Sequence, residues 1–279
     1  MQKKLIAVAI AGALAAPAAI ADVAVSGSIR TGVLYTGSEW KVADNYSRLR
    51  FKSSSDLGNG QSAYMGYEFR VDSATGSLVT GNTQRLSYVG IKGDWGSLSL
   101  GSQWSTLFNT VGTFIDKSNR FGGVGYWGNG GGQYRMKDSV SFTTQAGPVW
   151  LQADAQMNGG GDDLDRTSIG GTFAVGGASI GAAWQDNGSA DFTGVGVSMS
   201  LAGLALSGGF TDVSGVGSGY GITGSIAGVR LAYEDSDSYA DPQVWGNYAI
   251  GLGGGAKAII ELMNDGTDTA GIGMLRMDF

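Results

Sequence analysis

The sequence predicts an all-β fold, a transmembrane antiparallel up-and-down β-barrel of sixteen strands. Apolar and polar residues alternate with a period of two from residue 23 to the end, which is typical of strands. Gly accounts for 50 of the 279 residues and Pro for 3, so tight turns join strands that are rarely interrupted. One face of the alternation carries Ser, Thr, Gln, Arg and Gly, which cannot form a dry core. The apolar face therefore meets lipid, where a sheet must close on itself.

Residues 1–21 predict a secretory signal peptide. Lys3 and Lys4 precede a short apolar run, and small residues follow in a cleavage pattern. We expect Sec export and cleavage before Asp22, which leaves one transmembrane barrel over residues 22–279.

The charge balance and two missing residue types narrow the classes of function. Without Lys3 and Lys4 the chain has 16 basic and 24 acidic residues, a net charge of −8, which argues against nucleic-acid binding. Cys is absent, so disulfides and thiolate metal sites are not available. His is absent too, which removes the usual general base and the Ser-His-Asp triad. We therefore expect no enzyme activity and no resident cofactor.

Sixteen segments carry the strand pattern, and most have the length of a tilted membrane crossing. In the second segment Arg48 and Arg50 alternate with Leu49 and Phe51. This alternation gives the strand one polar face and one apolar face. The expected spans are 23–36, 45–55, 61–72, 83–93, 97–104, 135–145, 149–157, 166–175, 178–186, 192–201, 204–212, 219–226, 229–235, 243–252, 256–263 and 271–279.

The connections alternate between minimal Gly-containing turns and longer acidic loops. This alternation, an even strand number and both termini on one side fit bacterial barrels. In the last strand Leu275, Met277 and Phe279 share the lipid face, and we expect this strand to pair with the first. Aromatic residues near strand ends are interpreted as interfacial girdle residues. They are Tyr35, Tyr46, Trp150, Phe192 and Trp245.

One connection, residues 105–134, is far longer than the others. A loop of this length usually has a function. Its aromatic residues make it too apolar for a solvated tail, so we expect it to fold against the inner barrel wall. These aromatics are Phe108, Phe114, Phe121, Tyr126 and Trp127.

Three stretches resemble the Gram-negative general porins. They are SRLRFKSSSDLGNG (47–60), YVGIKGDWGSLSLGSQWS (88–105) and KDSVSFTTQAGPV (137–149), together with the terminal Phe279. The resemblance implies a sixteen-stranded barrel, a homotrimer in the bacterial outer membrane, and a third loop folded into the lumen. It further implies passive diffusion of small hydrophilic solutes and ions. The chain is short for this family, so a fourteen-stranded barrel stays open.

The resemblance also implies a basic wall that faces acidic groups on the inward loop, with a transverse field across the pore. Strand parity places a set of charged residues on the lumenal face: Arg30, Arg48, Arg50, Lys52, Glu68 and Arg70. On the loop the candidates are Asp116, Lys117 and Arg120. Arg85 is in phase with lipid-facing Val89 and faces the lumen only if a β-bulge intervenes. The acidic balance favours cations and the arginines favour anions, so selectivity stays open.

A further cluster of eleven acidic residues is assigned to outer loops, where it would form an acidic vestibule that concentrates cations, hold a loosely bound divalent cation that bridges lipopolysaccharide, or simply keep the loops soluble. They are Asp162, Asp163, Asp165, Asp186, Asp191, Glu234, Asp235, Asp237, Asp241, Asp265 and Asp268. The expected partners are other copies of the chain, outer-membrane lipid and lipopolysaccharide, and small solutes.

Three alternatives to a general pore remain. A solute-selective channel of the same architecture would use the loop aromatics as a track. A barrel enzyme would be a lipase, which the absence of His disfavours, or an Asp-based protease, which would need acids clustered at the outer rim. A structural or adhesin barrel would have a plugged lumen.

Overall fold

The computed structural model describes residues 22–78, 84–123, 134–159 and 164–279 as one antiparallel sheet. The predicted signal peptide, residues 1–21, lies outside this range. The strands are β1 Val23–Tyr35, β2 Trp40–Asp44, β3 Arg48–Gly58, β4 Gln61–Asp72, β5 Ser77–Leu78, β6 Gln84–Gly93, β7 Gly96–Trp104, β8 Arg135–Ala146, β9 Val149–Gln156, β10 Arg166–Val175, β11 Ala178–Asp186, β12 Asp191–Leu201, β13 Leu204–Val213, β14 Gly217–Ile226, β15 Val229–Ser236, β16 Gln243–Gly253, β17 Ala256–Asn264 and β18 Thr269–Asp278. Among these residues, no helix is long and apolar enough to cross a membrane.

The eighteen strand segments make sixteen barrel strands. Both β2 and β3 pair with β1, so they are two pieces of one strand. The two-residue β5 pairs antiparallel with the outer end of β4 and adds no barrel strand of its own. The sixteen-stranded prediction is confirmed, and the fourteen-stranded alternative is wrong.

The second strand differs from its predicted span of 45–55. Its first piece, β2, lies upstream of that span, and the strand is interrupted where Tyr46 adopts a positive φ of 61°. Asp44 holds the interruption by accepting hydrogen bonds from the Tyr46 and Ser47 backbone N–H groups at 3.0 and 3.2 Å.

The barrel closes between the first and last strands. The register of β1 and β18 runs from Ser28 opposite Asp278 to Tyr35 opposite Gly271. Beyond β18, the Phe279 carbonyl accepts a hydrogen bond from the Gly27 N–H at 2.8 Å. All sheet edges in this region are therefore paired, as a sheet in lipid requires.

The turns at the end that holds the C-terminus are tight. Ala202 and Ala227 have φ values of 49° and 50°, and the glycines that follow them have φ values of 85° and 84°. Two consecutive positive φ angles define a turn whose twist matches that of the flanking strands. Gly at the second position avoids the steric cost of this conformation.

Side-chain exposure follows the predicted parity. Leu275, Met277 and Phe279 are exposed on the outer face, whereas Ile272 and Met274 are buried inside. The girdle assignment of Phe192 and Trp245 is wrong, because both side chains are buried within the barrel. Phe192 is in phase with inward Gly194 and Gly196, which its parity already indicated.

Candidate functional site

The long loop lies inside the barrel against a wall of glycines. A π-helical turn, Phe108–Gly112, and a short α-helical turn, Thr113–Ile115, contact strands β10 to β14. A Cβ atom on Gly194 would come within 2.9 Å of Val111, and one on Gly221 within 2.8 Å of Ile115. At Gly181 it would overlap the Thr110 carbonyl. Because glycine has no side chain, the loop can pack directly against the wall at these positions.

A buried carboxylate fixes the start of the loop. Asp154 on β9 accepts hydrogen bonds from the backbone N–H and the hydroxyl of Thr106, at 2.5 and 2.7 Å. The Ser168 hydroxyl donates to the second oxygen of Asp154. Just after this point the loop side chains Leu107, Val111 and Ile115 pack on the wall in one apolar cluster.

A second buried carboxylate fixes the far end of the described loop. Glu261 on β17 is fully buried and accepts hydrogen bonds from three consecutive backbone N–H groups. The distances are 2.8 Å from Asn119, 2.7 Å from Arg120 and 3.0 Å from Phe121. The side-chain amides of Asn119 and Asn247 also donate to Glu261, each at 3.1 Å.

A third buried carboxylate, Glu234 on β15, binds the loop just after the residues that Glu261 binds. It accepts hydrogen bonds from the Gly123 N–H at 2.6 Å and from the Trp245 indole at 2.7 Å. The outer-loop assignment of Glu234 is therefore wrong, since this side chain is buried under the inward loop. Phe121 packs on the apolar cluster that contains Ile259 and Ile272.

Arginines dominate the space that the loop leaves open. A lumenal cavity of about 420 Å³ lies between the loop and the wall of the first strands. Its charged lining residues are Arg30, Arg48, Arg85, Arg120, Arg135 and Asp116. An adjoining cavity is lined by Arg50, Lys52 and Glu68 and shares Arg48 and Trp104 with the first.

Glu68 is the counter-ion of this basic wall. It is buried and pairs with Arg50 and with Arg85 through hydrogen bonds, and it lies 3.8 Å from Arg48. One carboxylate that serves three guanidinium groups leaves the wall with a net positive charge. The pairs also hold the arginines in place along the wall.

Arg85 reaches the lumen through a β-bulge. In the β4–β6 ladder Glu68 is opposite Leu86, but Phe69 is opposite Gln84, so Arg85 is the extra residue. Its guanidinium consequently turns to the Glu68 carboxylate instead of following lipid-facing Val89. This meets the condition that the sequence set for a lumenal Arg85.

Two predicted residues lie near the first cavity without lining it. Arg70 is 3.3 Å from Asp44, and its guanidinium lies over the Tyr46 ring at 4.8 Å. Lys117 is half-buried in the inward loop, outside the spanning strands, and its carbonyl accepts a hydrogen bond from Arg230 at 2.6 Å. Burial lowers the pKa of Lys117, repulsion from Arg230 lowers it further, and Asp116 opposes the shift.

The sequence did not single out several lumenal residues. Trp104 and Arg135 flank the long loop, where β7 and β8 end and begin, and their position beside the loop is the only sequence signal. Arg276 is opposite Arg30 in the ladder, and Lys257 is opposite Arg276, so the basic wall extends toward the turn end.

The described loop aromatics do not form one lumenal stripe. Phe114 is buried on the glycine wall, and Phe121 lies in the apolar cluster near Glu261. Phe108 does line the first cavity. Tyr126 and Trp127 lie outside the described residues, as do Asp162 and Asp163.

The described outer acids mostly cap turns. Asp265 accepts backbone hydrogen bonds from Thr267 and Asp268 at 3.1 and 2.7 Å. These bonds lower the pKa of the Asp265 carboxyl. Asp186 caps the Gly188 N–H at 2.7 Å. Within residues 22–78, 84–123, 134–159 and 164–279, no three acidic side chains form a group that could hold a metal ion.

The closed barrel, the polar lumen and the inward loop define a transmembrane β-barrel protein of the porin class. A sequence profile described as Gram-negative porin matches residues 6–258. The chain belongs to the Gram-negative porin family, and its place is the bacterial outer membrane.

Curated relatives agree over part of the chain. Major outer membrane protein P.IB of Neisseria gonorrhoeae is 39% identical over 126 residues, which cover 39% of this chain and 34% of the relative. The protein of the same name from Neisseria lactamica is 36% identical over 126 residues, which cover 39% of this chain and 35% of that protein. The match thus spans about a third of the length of these relatives.

Solved structures share the fold over nearly the whole chain. An anion-selective porin from Comamonas acidovorans superposes with a TM-score of 0.77 at 18% identity, covering 93% of this chain and 100% of that one. Salmonella typhi OmpF, in a complex with daunomycin, gives 0.75 at 14% identity, covering 92% and 97%. At these identities the likeness concerns the fold alone.

Proposed function

We propose that this chain forms a passive, water-filled outer-membrane channel for small hydrophilic solutes and ions, with a preference for anions. One observation carries the proposal: among the described residues, the charged side chains that line the cavity beside the inward loop are five arginines and Asp116. The channel needs no catalysis, and none is part of the proposal.

The local charge outweighs the overall charge because ions interact most strongly with the groups at the narrowing. A unit charge about 6 Å from an ion in water is worth about 0.7 kcal/mol, and the low-dielectric wall strengthens this interaction. Many acids are not available to attract cations there. Glu234 and Glu261 bind loop N–H groups, and Glu68 is paired with arginines.

The assembly and the surroundings are part of the same proposal. A structure of Vibrio cholerae OmpT with this fold is described as a trimer form, and we infer a homotrimer for this chain too. Its outer face would contact lipid and lipopolysaccharide. A loosely bound divalent cation at the outer acids stays a prediction.

Planar-bilayer recording tests the proposal. We expect current steps in groups of three and, under a KCl gradient, a reversal potential of the sign for chloride preference. Arg48→Gln should lower the chloride-to-potassium permeability ratio about tenfold, because ~0.7 kcal/mol less attraction for chloride and ~0.7 kcal/mol less repulsion of potassium add to ~1.4 kcal/mol. Lys41→Gln is the matched control, because Lys41 is exposed, is paired with Glu39, and lines neither arginine-rich cavity.

Two results would contradict the proposal. A reversal potential of the cation-selective sign would show that the arginines do not set selectivity. A barrel that inserts into the bilayer but carries no current would support a plugged structural barrel.

A further inference from the structure

Four aromatic rings form a column from the barrel wall to the lumen. Phe192 and Tyr134 are buried and meet edge to face at 6.4 Å, and Tyr134 meets Phe108 in the same way at 6.4 Å. Phe108 is stacked on Trp104, with ring centroids 3.9 Å apart and an interplanar angle of 17°. The column holds the Trp104 indole in a fixed place at the lumen.

Two arginines surround the lumenal end of this column. The guanidinium carbon of Arg85 lies 5.7 Å from the Trp104 ring centroid, and that of Arg135 lies 5.6 Å from it. Both distances are within the range of cation–π attraction. Planar guanidinium groups next to an indole provide positive charge and flat apolar surface at one place.

Trp104 lies on the boundary between the two arginine-lined cavities. The larger cavity, at about 420 Å³, is within the size range of small-molecule sites. Arg48 lines both cavities, and Arg120 lines the larger one, so a carboxylate has cationic partners within reach of the indole.

We propose that the channel transiently binds flat aromatic monocarboxylates at Trp104, in preference to aliphatic carboxylates of similar size. The carboxylate pairs with the surrounding arginines, and the ring packs against the half-buried indole or stacks on a guanidinium plane. The site rests on the proposed anion preference and adds discrimination by ring type, which charge alone does not provide.

Benzoate and cyclohexanecarboxylate form the probe pair, because they share charge and approximate size but differ in aromaticity. Each is added to the full-length processed protein in a planar bilayer, and the reduction of the chloride current is measured. We expect benzoate to reach half-block at a concentration about fivefold lower, which corresponds to ~1 kcal/mol.

Trp104→Leu should remove this difference, while the reversal potential in KCl keeps the anion-selective sign because the lining arginines remain. Trp104→Tyr keeps an aromatic face and should retain part of the difference, even if the leucine variant fails to assemble. The control is Trp95→Leu. Trp95 stacks on Phe142 at a turn between strands, away from both cavities.

The outcomes separate this inference from the proposed function. Equal block by both acids in a channel with the anion-selective sign overturns the Trp104 site alone. A benzoate preference that survives in Trp104→Leu overturns it as well. A reversal potential of the cation-selective sign overturns the proposed anion preference on which the site rests.

Discussion

Removing the Glu261 carboxylate should release the far end of the inward loop. Three consecutive backbone N–H groups of the loop donate to this one buried side chain, at 2.7 to 3.0 Å. Each buried donor left without an acceptor costs about 1–3 kcal/mol. Lumenal water will solvate part of the exposed backbone, so we take ~3 kcal/mol, near the low end of the sum.

A loss of ~3 kcal/mol raises the ratio of released to docked loop about 150-fold. Glu234 still binds the Gly123 N–H, and Asp154 still binds Thr106, so the barrel should assemble with its loop loosened at one end. Single-channel recording of Glu261→Ala should therefore show larger conductance steps with rapid flicker. Liposomes that carry this variant should swell faster in sugars too large for the parent channel.

The controls separate the loop from the charge change. Glu39→Ala removes an exposed carboxylate and should leave the conductance unchanged. Glu261→Gln keeps one oxygen acceptor, so its flicker should lie between that of the parent and that of the alanine variant. If Glu261→Ala has the parent conductance, noise and sugar cut-off, the carboxylate does not hold the loop and the reasoning fails.

Three further predictions concern the loop and one outer turn. Gly181→Ala should displace the loop and change conductance, whereas Gly273→Ala, which has open space around it, should not; equal behaviour of the two variants would count against the glycine wall. Burial and repulsion from Arg230 lower the pKa of Lys117, so anion preference should start to fall at a pH below the ordinary lysine value of 10.5. The unfolded chain binds the Lys117 proton more tightly than the folded barrel, so the free energy of unfolding should rise with pH between the folded-state and unfolded-state pKa values of Lys117. A Lys117→Met variant with the same pH profile would contradict this assignment. Backbone N–H groups lower the pKa of Asp265, so its turn should keep its carboxylate cap above the ordinary value of 3.8 and lose it as pH falls through the lowered value, which carboxyl titration by NMR can follow.

Strand positions were predictable because lipid and water lie on opposite faces of each strand. The predicted third strand, residues 61–72, matches β4 from end to end. Glu68 and Arg70 could not face lipid without a cost of several kcal/mol for the arginine, so the phase of this strand had one acceptable solution. Alternation with a period of two therefore determines the wall of the barrel.

The sequence predicted which face of a strand a side chain occupies better than it predicted whether that side chain is buried inside the barrel. Phe192 lies at a strand end, where an aromatic fits an interfacial girdle, yet it is buried against Tyr134. The inward loop supplies this burial, and no local pattern reveals where a loop of that length will dock. The interruption at Tyr46 was missed for a related reason, because Asp44 holds it through hydrogen bonds that join separate segments.

At Arg85 strand parity assigns the side chain to the wrong face, and this conflict itself indicates a β-bulge. Periodicity alone would place this guanidinium in lipid, which is unfavourable enough to signal an irregularity. The sequence could therefore indicate that a bulge was needed. It could not place the partner, because Glu68 is on the neighbouring strand and the register of the β4–β6 ladder decides the pairing.

The position of the loop and the charge of the pore depend on each other. Glycines on β10 to β14 let the loop lie close to one wall, so the space that remains is bounded by the arginines of the opposite wall. The acids that hold the loop in this position, Asp154, Glu234 and Glu261, are directed at its N–H groups. They add to the negative net charge of the chain while they leave the cavity positive. A chain with an acidic composition can thus present a basic pore, and loosening the loop should weaken selectivity and widen the channel in the same variant.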